Sequence, residues 1–245
     1  MRHRGAVTMV TIERISRNSL EFPDTQQALS YPNGLLAVGG DLSIQRLLRA
    51  YQRGIFPWYE DPQPILWWSP DPRSVLFPEE ISISRSLAKT LRRNRFTITA
   101  DTAFHRVLAG CAAPRARERG TWITNSMARA YMELHRAGYA HSIEVWDQAQ
   151  LQGGLYGVAL GKVFFGESMF SRVSDASKVA LVALASTLRE KGIEIIDCQV
   201  ESAHLNSMGA RNIPRLDFET HLAHTGEVSD SSALWRLDMN SGDLL

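Results

Sequence analysis

Glu167, Asp197 and Gln199 stand inside two of the most apolar stretches of the chain, KVFFGESMFS and IEIIDCQ. Carboxylates are rarely buried among Phe, Met and Ile unless they are paired or have a task. Two carboxylates and an amide supply a proton acceptor and hydrogen-bonding groups, so the stretch from His141 to Gln199 reads as a catalytic half-sheet.

The elements that must hold these residues follow from periodicity. His141–Trp146 alternates polar with apolar residues, the pattern of a half-buried strand. Leu151–Leu160 and Lys162–Phe170 follow after short turns, which predicts three antiparallel strands. A period of two puts Phe165, Glu167 and Met169 on one face. Leu181, Leu184, Ala185 and Leu188 fall at i, i+3, i+4 and i+7, so Val179–Glu190 is predicted helical, capped by Ser174 or Asp175 and ended at Gly192. Ile193–Cys198 is then a buried strand, with Asp197 and Gln199 on one side and Cys198 on the other. This order suits an α/β (α+β) chain with helices on a sheet.

Upstream, Ser43 caps a predicted helix over Ile44–Arg53, ended by Gly54. Tyr and Trp crowd between prolines in IFPWY and ILWWSPDPR, giving a rigid aromatic surface near which a domain boundary is expected. A helix over Ser82–Phe96 carries Arg85, Lys89, Arg92, Arg93 and Arg95, either a solvated face or a footprint for phosphates. Pro114–Gly120 is a basic loop that offers a second phosphate contact. Ala103–Cys111 and Ser126–Ala137 are predicted helices. In the second, Tyr131 is either core or turns its hydroxyl inward.

Other chemistries are excluded. His141 and Glu144 spell HxxE, but i and i+3 on a strand face opposite ways and cannot chelate one metal. Gly154–Lys162 lacks the spacing of a phosphate loop, and Pro32–Asp41 lacks GxGxxG. Cys111 and Cys198 indicate neither a disulfide framework nor a zinc site. The net charge of +1 attracts no polyanion globally, so any nucleic-acid contact must be local. No apolar run approaches the ~20 residues that span a bilayer, and the MRHRGAVTM start has no long apolar segment of a signal peptide, so a cytoplasmic location is expected.

PNGLLAVGGDLS, AYQRGIFPWY, WWSPDPR, GTWIT, AHSIEVW, GGLYGVALGKVFFGESMFSR, ASKVAL and IDCQ occur in that order. Over about residues 13 to 226 the chain resembles the leucyl/phenylalanyl-tRNA–protein transferase family. The resemblance implies a small N-terminal domain, here residues 1–72, and a GNAT (N-acetyltransferase-like) catalytic domain, residues 73–228, with a mixed, mainly antiparallel sheet. Residues 229–245 match no family pattern and are expected to form a disordered tail. The implied activity moves Leu or Phe, less readily Met, from aminoacyl-tRNA to the N-terminal Arg or Lys of proteins, marking them for N-degron degradation.

By the resemblance, Asp197 and Gln199 are the catalytic pair and Glu167 binds substrate. Leu155, Phe164, Leu184 and Leu188 line the pocket for the transferred side chain. Trp58, Trp122 and Tyr131 meet the tRNA 3′ end, and Arg85, Lys89, Arg92 and Arg93 its backbone. No cofactor, no metal and no membrane are implied, and the working form is expected to be a monomer. Two rivals stand beside this reading. An acyl-CoA acetyltransferase would carry a glycine-rich pyrophosphate turn, whereas Ser171–Ser177 has no glycine. A non-catalytic RNA-binding module would leave Glu167, Asp197 and Gln199 without a task.

Overall fold

Strands collect into two sheets on either side of the Trp68–Arg73 turn in the computed structural model, which describes residues 12–113, 123–223 and 235–245. The first sheet contains β1 (Glu13–Ile15), β2 (Leu35–Gly39), β3 (Phe56–Pro57) and β4 (Leu66–Trp68), in the order β1-β2-β4-β3. Helix α1 (Ile44–Tyr51) packs against β3. The Ser43 hydroxyl caps it by accepting the Arg46 main-chain N–H, and Gly54 takes a φ of 69° that a side chain would strain.

After it come β5 (Arg73–Leu76), α2 (Arg85–Arg92), β6 (Thr97–Ala100), α3 (Phe104–Ala112), α4 (Asn125–Arg136) and β7 (Ala140–Asp147). Then follow β8 (Gln150–Leu160), β9 (Val163–Ser171), α5 (Ala176–Glu190), β10 (Ile195–Gln199), α6 (Ala203–Asn206), β11 (Arg211–Ile213), α7 (Arg215–Ala223) and β12 (Asp238–Asn240). The second sheet runs β11-β5-β10-β9-β8-β7-β6-β12. Every neighbouring pair is antiparallel except β9 with β10, so the chain is α/β with a mixed, mainly antiparallel sheet.

Both faces of this sheet are covered. On one, Tyr131 and Leu134 of α4 and Phe104 of α3 pack with Tyr51, Tyr156 and Phe165. On the other, α5 and α2 bring Leu184, Leu188, Leu87 and Leu91 against Phe164 and Ile196. Each buried leucine contributes roughly 1.5–3 kcal/mol. This double cover corrects the half-buried reading of His141–Trp146, because His141, Ser142 and Glu144 are fully buried. Most of their polar atoms are paired internally: His141 Nδ1 lies 2.7 Å from Asp101 Oδ2, the Ser142 hydroxyl donates to Glu144, and Glu144 accepts from the Thr102 hydroxyl and the Ala103 N–H, while His141 Nε2 is buried without a hydrogen-bond partner among the described residues.

The expected disordered tail is also corrected, for residues 235–245. Trp235 is 4% exposed, stacks on the His141 ring at 4.2 Å, and donates its main-chain N–H to Asp101. The next residues pair β12 with β6 along the sheet edge. The predicted helix over Ser82–Phe96 is shorter, because Asn94 turns the chain at a φ of 50° and Phe96 enters the core.

Candidate active site

Strands β9 and β10 run parallel but pair only at Val163–Phe165 with Ile195–Asp197. Immediately beyond, each carries a bulge. In β9, Gly166 faces Gly157 and Ser168 faces Tyr156, which leaves Glu167 as the extra residue. In β10, Asp197 faces Val75 and Gln199 faces Ser74, which leaves Cys198 extra. A bulge interrupts pairing and re-aims the side chains around it. Both strand ends, Gly166–Ser171 and Ile196–Val200, line a cleft of about 1220 Å³.

The first bulge overturns the expected shared face of Phe165, Glu167 and Met169. Phe165 and Glu167 lie on the tyrosine side, but Met169 packs toward α5, because one inserted residue reverses the alternation.

Glu167 is nearly buried at 7% exposure, yet it borders the cleft. The Tyr51 hydroxyl donates to its Oε1 at 2.8 Å, the Tyr131 hydroxyl to its Oε2 at 2.5 Å, and Gln199 Nε2 to its Oε1 at 3.1 Å. Burial raises its carboxyl to about 7, against the lowering effect of the two tyrosine hydroxyls and of Arg73, with Asp197 adding to the rise.

Asp197 is fully buried and tied to Arg73 of β5 in a bidentate pair, with Nε donating at 2.7 Å and Nη2 at 2.6 Å. Arg73 also donates to the Gly54 carbonyl and lies 4.8 Å from the Phe56 and Phe218 rings. Asp197 Oδ1 further accepts the Gln199 main-chain N–H at 2.9 Å. That bond holds Gln199 at a φ of 65°, a left-handed conformation that a non-glycine residue adopts at a cost of roughly 1–2 kcal/mol. A chain of contacts thus runs Arg73–Asp197–Gln199–Glu167. Burial, with Asp197 close by, pushes the Cys198 thiol well up, so it is no nucleophile.

The remaining candidates divide. Leu155, Phe164 and Leu184 line the cleft, joined by Leu181, which periodicity placed only in the core stripe. Leu188, one turn beyond Leu184, is fully buried and does not reach the wall. Trp58 stands 44% exposed at the cleft, its ring 5.6 Å from Trp68, whose indole N–H donates to the Trp58 carbonyl. Tyr131 is not on the wall, because its hydroxyl is spent on Glu167 from full burial. Trp122 and the basic loop Pro114–Gly120 lie outside the described residues. Arg85, Lys89, Arg92 and Arg93 are exposed on α2 and none lines the cleft. Among the described residues no group of three or more His, Cys, Asp or Glu side chains could hold a metal, and no helix is long and apolar enough to cross a membrane.

Sequence reasoning missed Arg73 and Tyr51. The available signal was an arginine heading the buried run RSVL, since a charge there needs a partner.

The site can hold an amine or a carbonyl oxygen against a carboxyl that changes protonation near neutrality, beside an apolar recess. The chain is similar to other proteins over most of its length. The chain is 58% identical over 218 residues to the leucyl/phenylalanyl-tRNA–protein transferase of Pseudomonas syringae pv. syringae (strain B728a), covering 89% of this chain and 95% of that one. It is 57% identical to the enzyme of that name from Nitrosomonas eutropha (strain DSM 101675 / C91 / Nm57), covering 89% and 93%. Among solved structures it is similar to L-PGS from Bacillus licheniformis at 10% identity and a TM-score of 0.39, over 66% of this chain and 55% of that one. The family pattern described as leucyl/phenylalanyl-tRNA protein transferase matches residues 75–223, and the pattern of that family's N-terminal domain matches residues 40–71. On these matches the chain belongs to the leucyl/phenylalanyl-tRNA–protein transferase family.

Proposed function

We propose that this chain transfers leucine or phenylalanine, and less readily methionine, from aminoacyl-tRNA to the N-terminal Arg or Lys of acceptor proteins in the cytoplasm, marking them for N-degron degradation. The observation that carries the reading is one cleft, in a chain of this family, where an apolar wall, an exposed tryptophan and the Glu167–Gln199 pair meet. An aminoacyl ester is already activated, so aminolysis needs no metal and no covalent intermediate. It needs the amine held against the carbonyl while its proton leaves, and positioning alone supplies roughly 7–11 kcal/mol of the barrier.

In this reading Leu155, Phe164, Leu181 and Leu184 take the transferred side chain. One methylene is worth only ~1–3 kcal/mol in such a recess, hence the leakage of Met. Trp58 stacks on the terminal adenine, for ~1–3 kcal/mol. The Gln199 amide, aimed by Asp197, holds the amine or the carbonyl oxygen, while Glu167 attracts the cationic acceptor. The exposed cations Arg85, Lys89, Arg92 and Arg93 track the tRNA backbone from α2. Residues 1–72 serve as the aromatic platform and 73–228 as the catalytic domain of a monomer.

The test mixes the protein with tRNA charged with labelled leucine and a peptide beginning with Arg, then repeats the assay with acetyl-CoA. Label on the peptide is expected. Acetylation without leucylation would favour the CoA-dependent rival, against which the glycine-free Ser171–Ser177 turn already speaks.

A further inference from the structure

Three oxygens meet in a closed triangle. The Tyr51 and Tyr131 hydroxyls are 2.7 Å apart, Tyr51 is 2.8 Å from Glu167 Oε1, and Tyr131 is 2.5 Å from Glu167 Oε2. Each contact needs one hydrogen, and the two phenols bring only two. Burial and the adjacent Glu167 hold both phenols well above their usual range, so neither ionises. With Glu167 ionised, one contact is left as two oxygens with no hydrogen between them. With Glu167 protonated, Oε2–H donates to Tyr131, Tyr131 to Tyr51 and Tyr51 to Oε1, and the ring closes. Gln199 donates to Oε1 in either state.

We propose that Tyr51 and Tyr131 are positioning residues of a proton-accepting ring in which Glu167 is the base that relieves the acceptor amine of its proton. The proposal rests on the transferase reading above. Both tyrosines are fully buried off the cleft wall, so Glu167 alone of the three meets substrate. The groups facing it are Tyr51 from α1, Tyr131 from α4, Tyr156 from β8, Gln199 and Asp197 from β10, and Arg73 from β5.

The step balances. The acceptor enters as an ammonium, and one proton passes to Glu167 while the electron pair stays on nitrogen. That pair forms the C–N bond at the ester carbonyl carbon, and the ester C–O bond breaks toward the terminal ribose oxygen. The second amine proton ends on that oxygen, and Glu167 afterwards releases its own to water.

Infrared difference spectra of the wild type minus Glu167→Gln isolate the Glu167 carboxyl C=O band without any substrate. The band is expected at acid pH and should fade with a midpoint near about 7. The two phenols donate more strongly to the ionised carboxylate than to the neutral acid, which outweighs the open oxygen–oxygen contact, so Tyr131→Phe and Tyr51→Phe should each raise that midpoint by about one unit or more. The acid limb of kcat/KM for leucine transfer to an Arg-peptide should move with it. A residue that only packs the core would lower folded protein at every pH and leave the midpoint in place. An absent band, or a midpoint unmoved in whichever tyrosine variants fold, overturns the ring. A titrating band in a protein that transfers no leucine keeps the ring as a proton site and removes the transferase reading.

Discussion

Asp197→Ala should unfold this protein more readily before it says anything about chemistry. Arg73 and Asp197 are both inaccessible to water and joined by two short hydrogen bonds. Removing one partner of such a pair strands a buried charge and costs about 3–5 kcal/mol. Part of the guanidinium's support survives, since Arg73 keeps the Gly54 carbonyl at 3.0 Å and the two phenylalanine rings. The expected loss for Asp197→Ala is therefore toward the lower end, about 3 kcal/mol, or a Tm drop of roughly 6–12 °C for a chain of this length. Arg73→Met should cost at least as much, because it leaves the carboxylate only the Gln199 N–H. The double change Arg73→Met with Asp197→Leu removes both charges and should be less damaging than the sum of the two single changes by about 2 kcal/mol or more. Urea unfolding of the four proteins measures this coupling. Single costs that simply add, or Asp197→Ala melting like the wild type, would refute the account. Turnover of Asp197 variants is therefore meaningful only below their lowered Tm.

Glu167 makes stability depend on pH: its folded pKa of about 7 exceeds the unfolded value of 4.5, so its contribution is full below 4.5 and lost as pH rises through about 7. The loss is about 3 kcal/mol over that window, and Glu167→Gln should abolish it; a wild-type-minus-variant difference that stays constant with pH would contradict this. Trp58→Ala should weaken aminoacyl-tRNA binding by ~1–3 kcal/mol with an unchanged Tm, since the ring is 44% exposed; equilibrium binding and thermal melts decide it. Replacing Arg92 and Arg93 with Ala should flatten the salt dependence of tRNA binding by about one unit of slope per lost phosphate contact, and an unchanged slope demotes α2 to a solvated face. Trp235→Ala should cost about 3–5 kcal/mol by emptying the site over His141, and a Tm within a degree of wild type would mean the C-terminal segment is dispensable.

What was legible in the residues was local. The Ser43 cap, the glycine stops at 54 and 192, and the three strands after Tyr139 depend on neighbours a few positions away. Helix α5 begins at Ala176, before the expected Val179, because Asp175 turns the chain at a φ of 67° and its carboxylate accepts from the Thr90 hydroxyl instead of capping the helix. What was not legible was tertiary. An inserted residue leaves no mark on composition, so the bulge at Glu167 and the resulting position of Met169 were invisible. Strand β5 has no alternation, being buried throughout, and the partner of Arg73 lies 124 residues along the chain. Leu184 and Leu188 share one stripe, and only cleft depth separates a wall residue from a core residue. Trp235 sits in a polar tail and is ordered by His141, far away in sequence.

The same geometry bears on which carboxylate handles the proton. Asp197 has both oxygens committed, Oδ1 to Arg73 and the Gln199 N–H, Oδ2 to Arg73. A proton arriving there would have to displace a guanidinium from a fully buried ion pair, which opposes a role as base. Glu167 has no ion-pair partner among the described residues; its hydrogen bonds come from two phenols and an amide, all neutral. Those donors steady an anion less than a guanidinium does, and burial then lifts the carboxyl into the range where a base is useful at neutral pH. In the proposed mechanism Asp197 acts instead through shape, holding Gln199 in its left-handed turn so that the amide reaches Glu167. Damage at Asp197 would then be felt at Glu167 through a misplaced Gln199, with the proton acceptor itself still present.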